Sequence, residues 1–471
     1  MCNPVRIAAL LTALAALPAA ATPPSASLRP EQRPSAPVPT VATMTGAVEV
    51  TNLAVNRSMR PIARNSAGGL PATAVTAETE TGPEALDVAA MAAAALDEVG
   101  FRDWRTGFEA RARAAGISQA TLDAAFAGVG PDAEIIRLDQ NQAEFSRALW
   151  DYLDSAVSQN RIDNGTAALA RHAEDLRAIE RRYGVEAEVV VAVWGLESAY
   201  GAVRGSTDII TAMATLAHEG RRQDFFETQL IAALQILEAG DIGPRQMTGS
   251  WAGAMGHTQF MPTSYLEFAV DGDGDGRRDI WSDNPVDALA STANYLSEFG
   301  WTTGQPWGME VRLPEGFDYS QTGERIKRSI DHWNREGVRL PGGARLPDHG
   351  RASILLPAGA DGVAFVIFDN FHVIERYNPA DAYVIAVGHL SDRITGGGAF
   401  RADWPRGDRA LTRDERVELQ ERLTRAGFST LGIDGIIGPN TLEAVRRYQA
   451  SQGLTPDGYA SLRILERLRR G

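Results

Sequence analysis

Cysteine is nearly missing from this chain: one thiol, Cys2, stands among 471 residues. That excludes an internal disulfide framework and any metal or nucleophile chemistry that needs clustered cysteines. Long apolar runs are missing as well. The one near the start, residues 7–17, is too short for a bilayer crossing, which takes about 20 helical residues, so no stable membrane insertion is expected. Preceded by Arg6 and followed by Ala19-Ala20-Ala21, it has the layout of a cleavable export signal, here residues 1–21, and points to the periplasm or cell envelope. Cys2 precedes the run, so it is not placed to carry a lipid at a cleavage site behind it. Basic charge is in deficit, with 46 Lys and Arg against 60 Asp and Glu and a net charge of -14. Nucleic-acid affinity comes largely from clustered cations, and no basic stripe occurs, so a nucleic-acid partner is excluded.

Residues 22–98 are rich in Ala, Pro, Thr and Ser and poor in large apolar side chains, the composition of a disordered tether. Short ordered pieces at 48–55 and 85–99 are compatible with it. From Phe101 to about Gly300 apolar residues recur at helical spacing, as in Phe145, Leu149, Tyr152 and Leu153, or Phe226, Leu230, Leu234 and Leu237. The texture then changes. Gly and Pro gather around Pro314 and over 341–357, residues 363–368 form a β-branched and aromatic run, and 354–356 is placed to pair with it across a Pro/Gly turn. Residues 377–390 predict one helix. Residues 99–400 are therefore expected to be a mainly α domain with a large helical lobe and a small α+β lobe. A Gly-rich boundary at 396–408 leads to residues 409–471, a three-helix module with Leu419, Leu423, Val445 and Leu465 as its core.

Three segments could carry chemistry. In VEAEVVVAVWGLESAYG (185–201), read as a helix, Glu197 has Val193 and Trp194 one turn back and Tyr200 and Gly201 one turn on. Its carboxyl then lies on an apolar face, where desolvation disfavours the charged form and suits a proton donor. A core carboxylate satisfied by a local hydrogen bond fits the same pattern. Residues 250–262 combine small residues with Gln259, Phe260 and Met261, an amide, a ring and a thioether suited to amino-sugar faces, although a helix–helix elbow would read similarly. His257 has no Ser or Asp partner at triad spacing. Finally, Asp271, Asp273 and Asp275 with Gly276 match a calcium loop of hard oxygen ligands, because such spaced carboxylates repel one another without a cation. The match fails at the twelfth position, Ser282, so Asp287, or else Asp283, is the candidate to close the site with the Arg277 carbonyl. An acidic surface turn is the alternative. Tyr295, Tyr377 and Tyr383 read, on spacing alone, as core or rim residues.

With Trp194-Gly195-Leu196-Glu197-Ser198, Tyr200-Gly201, Glu219-Gly220-Arg221-Arg222, residues 250–264, the aspartate loop and Arg376-Tyr377-Asn378 in order, residues 101–394 resemble the membrane-bound lytic transglycosylase B family. The resemblance implies a fold like goose-type lysozyme with a cleft between the lobes. It further implies Glu197 as acid/base, and Arg222, Ser250, Gln259, Phe260, Met261, Tyr295, Tyr377, Asn378 and Tyr383 as substrate-binding residues. A structural Ca2+ at Asp271, Asp273, Asp275, Arg277 and Asp287 follows in the same way, and no cofactor is needed for the chemistry. Residues 411–468 resemble a three-helix peptidoglycan-binding module through Leu419-Gln420, Asp434-Gly435, Gly438-Pro439 and Tyr448-Gln449. The implied partners are peptidoglycan glycan strands, with other cell-wall enzymes conceivable, and the implied state is a monomer. The implied reaction cuts the MurNAc–GlcNAc β-1,4 bond and leaves 1,6-anhydromuramyl ends. A non-catalytic wall-binding protein and a water-using muramidase are the alternatives.

Overall fold

The computed structural model describes residues 98–140 and 148–471. The export signal at 1–21, the tether up to residue 97 and Phe145 lie outside the described residues, and Glu98 opens the first described helix, Glu98–Ala114.

A helix that is apolar on all sides belongs inside a core, and Ala187–Ser198 is one: ten of its twelve residues are buried. Val190, Val191 and Val193 have no exposed surface, each contributing roughly 1.5–3 kcal/mol relative to an exposed position. Around this rod pack the helices Gln159–Arg171, Ala173–Tyr183, Val286–Glu298 and Asp381–Ile394. Ile209–Glu219 and Gln223–Ala239 pair beside them and complete a helical lobe with one continuous core. Glu197 therefore sits one residue from the end of the most buried segment of the lobe.

The small lobe is built on a three-stranded antiparallel sheet in the order Gly308–Val311, Ala364–Ile367, Ser353–Leu355. The expected pairing of 354–356 with 363–368 is present, with Ile354 opposite Val366. Alternation along the central strand joins the lobes: Phe365 and Ile367 enter the main core, whereas Ala364 and Val366 enter a second core around Trp333, Phe317 and Ile330. Strand Gly308–Val311, on the other edge, was not foreseen. The helix expected over 377–390 starts later, as Asp381–Ile394, and a separate helix that was not expected, Asp369–Tyr377, precedes it. Pro379 lacks an N–H and disfavours helical backbone before it, and Asn378 is extended at φ -153 and ψ 120.

The boundary at 396–408 is pinned to the two lobes. Phe400 stacks on the buried His389 ring with centroids 3.8 Å apart, Trp404 lies against Trp150 and Phe365, and Arg406 pairs with Asp154 at 2.7 Å. Beyond it, Arg413–Arg425, Pro439–Ser451 and Leu462–Arg469 form the three-helix module around Leu419, Leu423, Val445 and Leu465. Its motif residues are structural. The buried Gln420 side chain donates to Asp434 and Ile436 and accepts from the Asp434 and Gly435 N–H groups. Gln449 treats Asp457 and Gly458 in the same way.

Candidate active site

Immediately after Glu197 the helix stops in a strained elbow. Ala199, Tyr200 and Gly201 all take positive φ, at 50, 60 and 84°, a costly arrangement for the first two that persists only where packing enforces it. The packing is visible. Tyr200 folds back so closely that a Cβ on Gly195 would meet its ring at 2.6 Å, and its hydroxyl donates to the Arg161 carbonyl at 2.7 Å. The elbow fixes the end of the helix and with it the aim of Glu197.

Glu197 is 8% exposed. The Tyr383 hydroxyl, from the helix Asp381–Ile394, donates to Glu197 Oε1 at 2.7 Å across 186 residues of sequence. Tyr152 also stands close: burial raises its phenol well above the usual range, and the negative charge of Glu197 adds to the effect. The carboxyl thus keeps a small opening to solvent while one phenol sets its orientation.

His257 explains how residues 250–262 are tied to this helix. Its Nδ1 accepts from Trp194 Nε1 at 3.1 Å, its carbonyl accepts from Ser198 Oγ at 2.5 Å, and its Nε2 lies 2.7 Å from the Ser282 carbonyl. Burial lowers its pKa. A neutral ring that accepts at Nδ1 carries its proton on Nε2, so it donates to Ser282 and bridges three segments. Sequence spacing had offered His257 no role because all these partners are remote.

The remaining candidates divide by exposure. Ser250, Met261 and Arg222 are partly exposed, and Gln259, Asn378, Tyr295, Tyr377 and Tyr383 keep only slivers of surface. Phe260 is corrected from a lining residue to a supporting one: with 0% exposure it has no face for a sugar. Its ring packs against both Tyr295 and Tyr377, with centroids 5.9 Å from each, and those two rings touch each other at 5.0 Å. Tyr377 donates to the Thr258 carbonyl and Tyr295 to the Arg376 carbonyl, both at 2.6 Å, so these hydroxyls hold backbone in place. Gln259, at φ 55, uses its amide on the carbonyls of Arg204 and Gly256, and Ser250 Oγ accepts from the Ala254 N–H. Arg222 pairs with the buried Asp139 at 3.1 Å and lies over the Phe226 ring.

The aspartate loop is half-exposed, with Asp287 of the next helix packed beneath it. Carboxylate oxygens of Asp271, Asp273 and Asp275 lie within 4.8 Å of one another. Asp287, 3% exposed, reaches under them to accept N–H bonds from Gly272, Asp273 and Asp279 at 2.8, 3.3 and 2.7 Å. Asp283, the other residue considered for closure, is turned outward and pairs with Arg204 at 2.9 Å. Asp279 was not foreseen; it accepts from the Trp281 and Ser282 N–H groups and shapes the exit of the loop. A set of hard carboxylate oxygens without soft donors fits calcium.

The chain is similar to known proteins along most of its described length. The family model described as transglycosylase SLT domain matches residues 100–392, and that of a putative peptidoglycan binding domain matches residues 412–468. Membrane-bound lytic murein transglycosylase B of Escherichia coli (strain K12) is 33% identical over 276 residues, which covers 55% of this chain and 73% of that protein. SltB3 of Pseudomonas aeruginosa, solved in complex with NAG-anhNAM-pentapeptide, is similar with a TM-score of 0.76 and 49% identity, over 78% of this chain and 99% of its own. SLT35 of Escherichia coli, solved in complex with calcium, is similar with a TM-score of 0.54 and 28% identity, over 64% of this chain and 93% of its own.

Proposed function

The chain belongs to the transglycosylase SLT family and is a peptidoglycan lytic transglycosylase with a C-terminal peptidoglycan-binding module, and on that premise we propose that Glu197 serves as both acid and base. The observation that supports this is its place at the end of an apolar helix, buried and held at one oxygen by Tyr383. Glycosidases that use water employ two carboxylates, one for the leaving oxygen and one for water or for covalent attack. Here protonated Glu197 gives its proton to the oxygen between N-acetylmuramic acid and N-acetylglucosamine, and the bond from that oxygen to the muramyl C1 breaks. The muramyl N-acetyl group supports the positive charge at C1. Glu197, now ionised, takes the proton of the muramyl C6 hydroxyl as O6 bonds to C1, which closes the 1,6-anhydro ring and restores the acid.

Because the nucleophile belongs to the sugar, the protein's contribution is orientation and exclusion of water. Ser250, Met261, Gln259, Asn378 and Tyr383 are proposed to contact the strand, with Phe260, Tyr295 and Tyr377 holding that wall from behind and Arg222 toward the stem peptide. Asp271, Asp273, Asp275 and Asp287, with the Arg277 carbonyl, would hold Ca2+. The ion supplies ligation that fixes the loop and enters no chemical step. The substrate places the protein's action in the cell envelope, reached through the export signal at 1–21, and among the described residues no helix is long and apolar enough to cross a membrane.

Glu197→Gln tests the assignment. Clearing of purified wall suspensions should fall at least about a thousandfold, the scale of losing the proton-transfer group together with its charge, while circular dichroism and wall binding stay unchanged. Turnover near the parent's would remove Glu197 from the reaction.

A further inference from the structure

The stretch of chain that leaves the elbow after Glu197 is tied down along its whole length. Gly201 lies so near His257 that a Cβ there would meet the imidazole at 2.5 Å, and the Val203 N–H donates back to the Ser198 carbonyl at 2.9 Å. Gly205, at φ 85, presses on the backbone before Ser250, where a Cβ would come within 2.2 Å of the Gly249 carbonyl. Arg204 stands between these contacts. Its carbonyl accepts from the Gln259 amide at 3.0 Å, while its guanidinium turns to the segment that follows the aspartate loop.

That segment offers backbone oxygens in close succession. The Tyr265 hydroxyl donates to the Arg278 carbonyl at 2.6 Å, the His257 N–H to the Ile280 carbonyl at 3.0 Å, and Arg204 Nη1 to the carbonyls of Trp281 and Ser282 at 2.8 and 2.7 Å. His257 Nε2 reaches the same Ser282 oxygen at 2.7 Å. Asp279 accepts from the N–H groups of Trp281 and Ser282, so the two carbonyls that Arg204 takes are held from within. The other guanidinium nitrogen, Nη2, pairs with Asp283 at 2.9 Å, but Asp283 is wholly exposed and a surface pair of this kind contributes little. A charged donor shared by two ordered backbone oxygens is the stronger tie.

The elbow is thus anchored at both ends. Ahead of it, Ser198 Oγ holds the His257 carbonyl; behind it, Arg204 holds Trp281 and Ser282. Between the anchors Ala199 and Tyr200 keep positive φ, which residues other than glycine hold only under constraint. We propose that Arg204 is a positioning residue for the transglycosylase reaction: Nη1 on the Trp281 and Ser282 carbonyls latches the far end of the elbow, keeps its two strained residues in place and so keeps Glu197 aimed at the glycosidic oxygen. The inference rests on the assignment of Glu197 as acid and base. Misplacing such a group by about an ångström costs up to about a hundredfold in rate.

Variants of the full chain, assayed on soluble glycan fragments well below their melting temperatures, test the latch. Arg204→Met keeps the stem and removes the donors, and its kcat should fall about ten- to a hundredfold with KM within about twofold of the parent's. Because one nitrogen takes both carbonyls, an ammonium can stand in for it, and Arg204→Lys should keep kcat within about threefold. Ala199→Gly, which takes positive φ without strain, should raise the kcat of Arg204→Met at least about threefold while changing the parent's less. A merely structural Arg204 would lower the melting temperature and leave the kcat of the folded enzyme unmoved. An Arg204→Met enzyme with the parent's kcat, one that loses the circular-dichroism spectrum of the fold, or one that Ala199→Gly does not restore overturns the proposal. Failure of the Glu197 assignment shows separately, as turnover by Glu197→Gln.

Discussion

Glu197 and the carboxylates of the aspartate loop are built in opposite ways. Glu197 is one acid among apolar side chains, with the Tyr383 hydroxyl on Oε1 and an opening of 8%. Asp271, Asp273 and Asp275 stand together near water and take N–H bonds from Gly274, Asp275, Gly276 and Arg277 in their own loop. Convergence of charged oxygens around a backbone cage favours holding a cation. The same functional group therefore stands in two settings, set by whether the flanking residues are Val and Trp or Gly.

The contrast can be broken at either end. Beyond removal of Glu197, the largest effect should come from Tyr383→Phe, which deletes the bond to Oε1 and leaves the ring. It is expected to lower kcat about ten- to a hundredfold with the melting temperature nearly unchanged, as steady-state kinetics and calorimetry would read; a kcat at the parent's level would mean that the phenol does not orient the acid. At the loop the expected change is in stability. Ca2+ at a hundredfold excess over its Kd should stabilise the fold by about 2.7 kcal/mol, a shift of several degrees in melting temperature. Asp287→Asn or a chelator should remove most of that shift while Glu197-dependent turnover persists. A melting curve indifferent to Ca2+ would leave the loop an acidic turn, held by its own N–H groups.

Legibility in the sequence followed range. Burial of Glu197 was readable because Val193 and Trp194 are its helical neighbours, although the helix read through residue 201 ends at Ser198 and Tyr200 lies in the elbow beyond it. The calcium-type loop was readable because its donors are spaced within six residues, and Asp287 because it opens the next helix. Strand Gly308–Val311 escaped because a four-residue segment starting with Gly and carrying Glu310 has little alternation of its own; it exists because the strand Ala364–Ile367 offers it an edge. The split at Asn378-Pro379 was available from proline chemistry and was overlooked in favour of apolar spacing. What no local pattern could provide were bonds between remote segments: Tyr383 to Glu197, Tyr377 to Thr258 and Trp194 to His257. The full burial of Phe260 escaped for the same reason, since only the packed structure brings Tyr295 and Tyr377 together against its ring.

Digestion of purified wall in water enriched in heavy oxygen, followed by mass spectrometry of the muropeptides, addresses most directly whether one carboxyl and a sugar hydroxyl suffice. Anhydromuramyl ends without label at C1 are predicted. Reducing muramyl ends that carry the heavy oxygen would mean that water reaches the reacting carbon, and would contradict the account.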